Sequence, residues 1–173
     1  MQIRALRETD DRSRFRSGDP DLDRFFHQFA GQNQFRHYVG VTYVADDDGR
    51  ILGFATVAPG HIEVDGLPVT ARKKLPHYPL PVLRLARLAV DQSIRGQGLG
   101  GRLLRFVLQL ARKMADDYGC VGVVVDAKPD ALAFYANYGF IAIELVEGQS
   151  HARPSPTPMF LAMRAIKAAS EVG

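Results

Sequence analysis

Hydrophobic and polar positions alternate in blocks whose period switches between strand and helix along the chain. The segment MQIRALRE at the start reads as an edge strand. Ser17-Gly18-Asp19-Pro20 sets a turn into a helix, with Asp19 as N-cap and Pro20 at the first helical position. Leu22, Phe25, Phe26 and Phe29 recur at helical spacing, which carries the helix to Gln34 with its aromatics toward the core. Tyr38–Ala45 and Ile51–Ala58 are strand-like runs around Asp46-Asp47-Asp48-Gly49-Arg50, and the Asp-Gly pair predicts a hairpin. A third strand is expected at His61–Val64. Asp65–Pro81 holds Pro68, Pro76, Pro79 and Pro81 with Arg72, Lys73 and Lys74, and reads as a basic loop.

The second half opens on Leu85–Val90, an apolar run with one charge and the length of a buried strand. A polar turn, Asp91–Ile94, leads to Arg95-Gly96-Gln97-Gly98-Leu99-Gly100-Gly101, which passes into a helical pattern. Leu99, Leu103, Phe106, Val107, Leu110 and Met114 share one side of that helix, and Arg102, Arg105, Gln109, Arg112 and Lys113 the other. Gly119 suits its C-terminal end. Cys120–Val125 reads as a buried strand, Pro129–Asn137 as a short helix, and Phe140–Val146 and Met159–Ile166 as strands around a Pro/Gly/Ser-rich stretch. No repeat or linker interrupts residues 1–173, so one α/β (α+β) domain is expected. Its central sheet should be mixed, mostly antiparallel and flanked by helices.

Composition narrows the classes. With 173 residues, 46% of them hydrophobic and 24% charged, the chain is long enough for a real core. A single cysteine, Cys120, permits no internal disulfide and points to a reducing cytoplasm. No apolar stretch approaches the roughly 18 residues of a membrane span, and the charged N-terminus does not read as a signal peptide. The five histidines, at 27, 37, 61, 77 and 151, show no metal spacing, so no metal is expected. A net charge of +3 and a pI near 9.2 are compatible with a nucleic-acid partner without establishing one.

The chemistry concentrates at Arg95–Gly101. A strand, a glycine-rich turn and a helix start gather backbone N–H groups toward one point, which makes an anion site. No Lys-Ser or Lys-Thr follows, as a Walker loop needs, and the glycines lack dinucleotide-fold spacing. R-x-x-G-x-G, from Arg95 through Gly98 to Gly100, resembles the pyrophosphate-binding motif of the GNAT N-acetyltransferases. The resemblance implies acetyl-CoA as cosubstrate, held by Arg95, Gly96, Gln97, Gly98, Leu99 and Gly100. It also implies oxyanion N–H donors near Leu88, Ala89 and Val90. Phe134-Tyr135-Ala136-Asn137-Tyr138-Gly139-Phe140 resembles the F-Y-x-x-x-G-F segment that closes the acetyl-CoA site in this family. It implies Tyr135 as general acid on the departing thiolate, with Phe134 beside the cofactor. A phenol, at about 10, can protonate a thiolate whose conjugate acid lies at about 8.5 as that thiolate forms.

Many family members place a glutamate base on the central strand. This strand has Arg84 and Arg87 and no acid before Asp91. An α-amino group, at about 7.7–8.0, is partly neutral at pH 7 without a base, whereas lysine, at about 10.4, is not. The strand therefore favours an α-amino acceptor. F-x-S-G-x-x-x-L-x-x-F from Phe15 to Phe25, Ala30-x-Gln32-Asn33, Tyr43-Val44 and Arg87-Leu88-Ala89-Val90-Asp91 further resemble the toxin-type GNAT enzymes of bacterial toxin–antitoxin pairs. Asp126-Ala127-Lys128 and Pro158-Met159-Phe160-Leu161 match them too. That resemblance implies acetylation of the α-amino group of aminoacyl-tRNA, a block of translation, a ribbon-helix-helix antitoxin and a homodimer. Arg72, Lys73, Lys74, Arg84 and Arg87 are the candidate substrate-binding cations. Two other readings stay open: acetylation of a small amine, peptide N-terminus or ribosomal protein, and a non-catalytic CoA-binding module.

Overall fold

The computed structural model describes residues 1–73, 75–143 and 156–172. Among them are seven strands: β1 (Gln2–Ala5), β2 (Val41–Asp47), β3 (Arg50–Ile62), β4 (Leu80–Val90), β5 (Gly122–Ala127), β6 (Ile141–Ala142) and β7 (Thr157–Ala162). The helices are α1 (Pro20–Arg24), α2 (Ala30–Phe35), α3 (Val69–Arg72), α4 (Leu99–Asp117), α5 (Leu132–Asn137) and α6 (Met163–Val172). The strand order is β1-β2-β3-β4-β5-β7-β6. The sheet is mixed with flanking helices, and it is mostly antiparallel: β1/β2, β2/β3, β5/β7 and β6/β7 all pair that way.

The chain divides into two compact units, Met1–Ala58 with Leu85–Val107, and Pro59–Arg84 with Leu108–Gly173. The first is built around aromatic rings. Phe26 stacks on Phe54 at 4.4 Å, and Phe15 meets both edge-on at 5.0 and 5.4 Å. Asp19 caps α1 through the N–H groups of Asp21 and Leu22, with Pro20 following as expected. The helix is not one regular run. A π-helical turn, Phe25–Phe29, separates α1 from α2 and buries both Phe25 and Phe26. The β2–β3 hairpin turns through Asp48 and Gly49, both at positive φ, the geometry an Asp-Gly pair supplies.

The second unit centres on Ile62, Leu67, Leu80, Val82, Val124, Ile143 and Phe160. Here several expectations change. Residues 61 and 62 continue β3 instead of forming a third strand, because exposed Pro59 does not end the ladder. The 65–81 segment is not a plain loop, since it contains α3 and the start of β4. Cys120 and Val121 precede β5, which extends to Ala127. The run Met159–Ile166 is not one strand: β7 ends at Ala162 and α6 begins at Met163. Ala, Lys and Glu then favour helix, and Ile166 alone of its described neighbours is buried. β6 is Ile141–Ala142, with buried Phe140 and Ile143 flanking it outside the strand; residues 144–146 of the expected 140–146 strand, with most of the Pro/Gly/Ser-rich stretch, lie outside the described residues.

Candidate active site

The first unit carries the glycine-rich loop and the polar frame that fixes it. β4 ends at Val90, and Asp91 is 3% exposed. Its carboxylate accepts from the N–H of Arg16 (2.9 Å), the N–H of Ser93 (3.0 Å) and the Ser93 hydroxyl (2.7 Å). Burial pushes the Asp91 carboxyl up, but these donors, with Arg50 at 3.8 Å, hold it below the usual carboxylate range. Gln92 N–H donates to the Arg16 carbonyl, and the Arg95 guanidinium donates to the Ser17 carbonyl. The Phe15–Pro20 segment is thus strapped to the start of the loop, which gives the F-x-S-G spacing a physical role.

Beyond that frame, Gly96 and Gly98 hold φ of +80° and +85°, a region L side chains rarely adopt. A Cβ placed on either meets nothing within 4 Å, so the backbone is open on that side. Leu99, 3% exposed, then begins the 19-residue α4, whose first amides lack partners within the helix. Open glycine backbone ahead of a long helix N-terminus fits a pyrophosphate. Arg95, Gly96, Gln97, Gly98, Leu99 and Gly100 run continuously through that loop into the helix start. Ala89 is buried and Leu88 and Val90 half-buried on the strand that feeds it.

Arg87, also in this unit, is half-buried with its guanidinium carbon 3.8 Å from the Phe25 ring centroid. Burial lowers its pKa, and no carboxylate pairs with it among the described residues. It is a cation seated on an aromatic face with no carboxylate partner among the described residues.

The second unit carries Tyr135 on α5, 5% exposed, between the rings of Phe134 at 5.1 Å and Phe140 at 5.5 Å. Burial pushes its phenol up, and no hydrogen bond engages its hydroxyl among the described residues. A protonated phenol with an unspent O–H is what a general acid requires. Tyr138 packs on Phe134 at 5.4 Å. Arg72 is half-buried and donates to the Asp65 carbonyl at 3.4 Å, and Lys73 is exposed. Lys74 lies outside the described residues. Arg84 is held by Asp126, with Nη1 donating to Oδ2 at 3.2 Å. Asp126, Asp91 and Phe25 escaped sequence reasoning as site elements, since only long-range pairing reveals them. No cluster of three or more His, Cys, Asp or Glu could hold a metal among the described residues. No described helix is long and apolar enough to cross a membrane.

A strand leading through an open glycine loop into a long helix is the element by which an acyl-CoA transferase holds its cofactor. Residues 39–142 match the acetyltransferase (GNAT) domain, and the chain belongs to the GNAT acetyltransferases; it is an N-acetyltransferase that uses acetyl-CoA. More particularly, it is 36% identical over 140 residues to the "tRNA-acetylating toxin" of Mycobacterium tuberculosis, covering 79% of this chain and 82% of that one. It is similar in structure to AtaTR bound with acetyl-CoA, at 25% identity and a TM-score of 0.76, covering 98% and 97% of the two chains. The fold also matches AtaT complexed with acetyl-methionyl-tRNAfMet, at 24% identity and a TM-score of 0.84, over 98% of each chain.

Proposed function

We propose that this enzyme moves the acetyl group of acetyl-CoA to the α-amino group of aminoacyl-tRNA and thereby stops translation. The observation that carries the reading is the 36% identity, across 79% of the chain, with a tRNA-acetylating toxin. The residues take the following roles. Amides of the Arg95–Gly100 loop and the first turn of α4 bind the pyrophosphate. Backbone N–H groups near Leu88–Val90 receive the oxyanion as the amine nitrogen bonds to the thioester carbon. The C–S bond then breaks, Tyr135 gives its phenolic proton to the departing sulfur, and water restores that proton. The amine's surplus proton leaves to water, which suits an α-amino group at about 7.7–8.0.

Arg87, half-buried and with no carboxylate partner among the described residues, suits a phosphate of the tRNA end, and Arg72, Lys73 and Lys74 add positive charge. As a toxin of this kind, the chain would act in the cytoplasm, pair with a ribbon-helix-helix antitoxin and form a homodimer. A cell-free translation reaction tests the reading. Synthesis should stop when protein and acetyl-CoA are both present and continue when either is omitted. Inhibition without acetyl-CoA, or none with it, contradicts the proposal.

A further inference from the structure

We infer that Phe25 is a positioning residue: its ring holds the Arg87 guanidinium by one face and leaves the N–H groups free for a phosphate of the acceptor. The inference deepens the proposed function and rests on it. Phe25, Arg87, Arg12 and Gly31 all belong to the unit of Met1–Ala58 with Leu85–Val107. The Arg87 guanidinium carbon lies 3.8 Å from the Phe25 ring centroid. The side chain is half-buried, and no hydrogen bond or ion pair engages it among the described residues; only burial acts on its pKa, lowering it. Arg4, in the same unit, shows the opposite arrangement. Its donors go to Asp10 at 2.8 and 2.9 Å and to Asp46 at 3.0 and 3.3 Å, which makes it a structural tie. A carboxylate partner consumes an arginine's donors, whereas an aromatic face leaves them available.

The ring's seat is built by the π-helical turn Phe25–Phe29. The Ala30 N–H bonds to the Phe25 carbonyl, five residues back in place of four. Such turns are rare and gather at functional sites. The wider turn lets two consecutive rings face inward: Phe26 stacks on Phe54, and Phe25 lies 6.2 Å from Phe54 and against Arg87. Arg12 supports the turn. Its Nη1 donates to the Phe26 carbonyl at 2.8 Å, and a Cβ on residue 31 would meet its Nη2 at 3.0 Å, a crowding that Gly31 avoids. Ala89 packs in the same core cluster as Phe25, and alternation puts Arg87 and Ala89 on one face of β4. At about 3.3 Å per strand residue, Arg87 begins within roughly 10 Å of Leu88–Val90, the residues that receive the oxyanion in the proposed reaction. A mobile arginine loses rotamer freedom when it grips a ligand; one laid on a ring has lost most of it beforehand. The unspent N–H fork matches two oxygens of a phosphate, and the tRNA end brings phosphates with the α-amine.

The test is a double-mutant cycle on the full chain: Phe25→Leu, Arg87→Met and the two combined. Steady-state kinetics and acetyl-CoA affinity are measured with tRNA charged with a neutral amino acid, so that its phosphates are the only anions it offers. A contact made alike in ground and transition states sets KM and leaves kcat alone. Arg87→Met should raise KM about fivefold and Phe25→Leu about threefold, with kcat and acetyl-CoA affinity within about twofold of the parent. The double variant should stay at about fivefold, since the ring has nothing left to position. Independent effects would instead multiply to about fifteenfold. A double variant near that value, or a Phe25→Leu KM equal to the parent's, overturns the inference. If Phe25→Leu does not fold, Phe25→Met, which fills the volume without a ring, takes its place in the cycle. An Arg87→Met KM equal to the parent's overturns the inference alone and leaves the proposed function standing. A parent that does not acetylate charged tRNA overturns the proposed function, and the inference with it.

Discussion

The glycine-rich loop and the Tyr135 helix are held by opposite means. Asp91 fixes the start of the loop with three hydrogen bonds, and Gln92 and Arg95 tie it to the Arg16 and Ser17 carbonyls. Tyr135 is held by two aromatic rings, with no hydrogen bond to its hydroxyl among the described residues. A loop that must present amides to an anion needs a fixed backbone, so its scaffold is polar and its glycines stay open. A phenol that must donate its proton cannot spend that proton on the protein, so its scaffold is apolar. Under the proposed function the difference separates binding from chemistry, and substitutions on the two sides should fail in different ways.

The largest effect should come from the apolar side. Tyr135→Phe removes only the hydroxyl and should lower kcat by roughly 100-fold or more while acetyl-CoA affinity stays within about twofold. Steady-state kinetics with calorimetry reads both numbers, and a matching loss of affinity would erase the contrast. Because burial raises the phenol's pKa, the protonated form persists above the ordinary value. The rate should therefore rise as the amine loses its proton, near pH 7.7–8.0, and show no decline up to about pH 9.5.

Gly98→Val attacks the other side. It puts a β-branched residue at φ +85° and a side chain where the backbone is open, so acetyl-CoA should bind about tenfold or more weakly. Unchanged affinity by calorimetry would remove the loop from the binding site. Arg87→Met deletes the cation that sits on Phe25. The KM for charged tRNA should rise about fivefold, with a shallower salt dependence and little change in acetyl-CoA affinity. An unaltered salt slope would show that Arg87 meets no phosphate.

Asp91→Asn should give the smallest effect on turnover and a measurable one on stability, about 1–2 kcal/mol at pH 7. The folded carboxyl lies below its unfolded value of about 3.9. Its contribution is therefore present above that value and lost as pH falls through the folded one. Denaturation curves of parent and variant should converge toward pH 3, and a constant gap would mean that Asp91 acts without its charge.

Much of this was written locally in the sequence. The Asp19-Pro20 cap, the Asp48-Gly49 turn, the strand–loop–helix at Leu85–Asp117 and the short helix bearing Tyr135 each depend on neighbouring residues. Elements failed where local signals conflict. Pro59-Gly60 reads as a break yet lies inside β3, and the apolar run after Pro158 hides the change from β7 to α6. The site's polar contacts join distant positions: Arg84 and Asp126 are 42 residues apart, and Arg16 and Asp91 are 75 apart. No window along the chain contains either pair, so only the folded structure links Arg84 to Asp126 and Arg16 to Asp91.

The proposed acceptor is the α-amino group of aminoacyl-tRNA. Labelled acetyl-CoA incubated with charged and deacylated tRNA tests it most directly. Label should enter the charged tRNA alone, be released with the amino acid by mild base as its N-acetyl derivative, and decline as salt rises. Equal labelling of deacylated tRNA, or free amino acids and polyamines labelled as efficiently as charged tRNA, would contradict it.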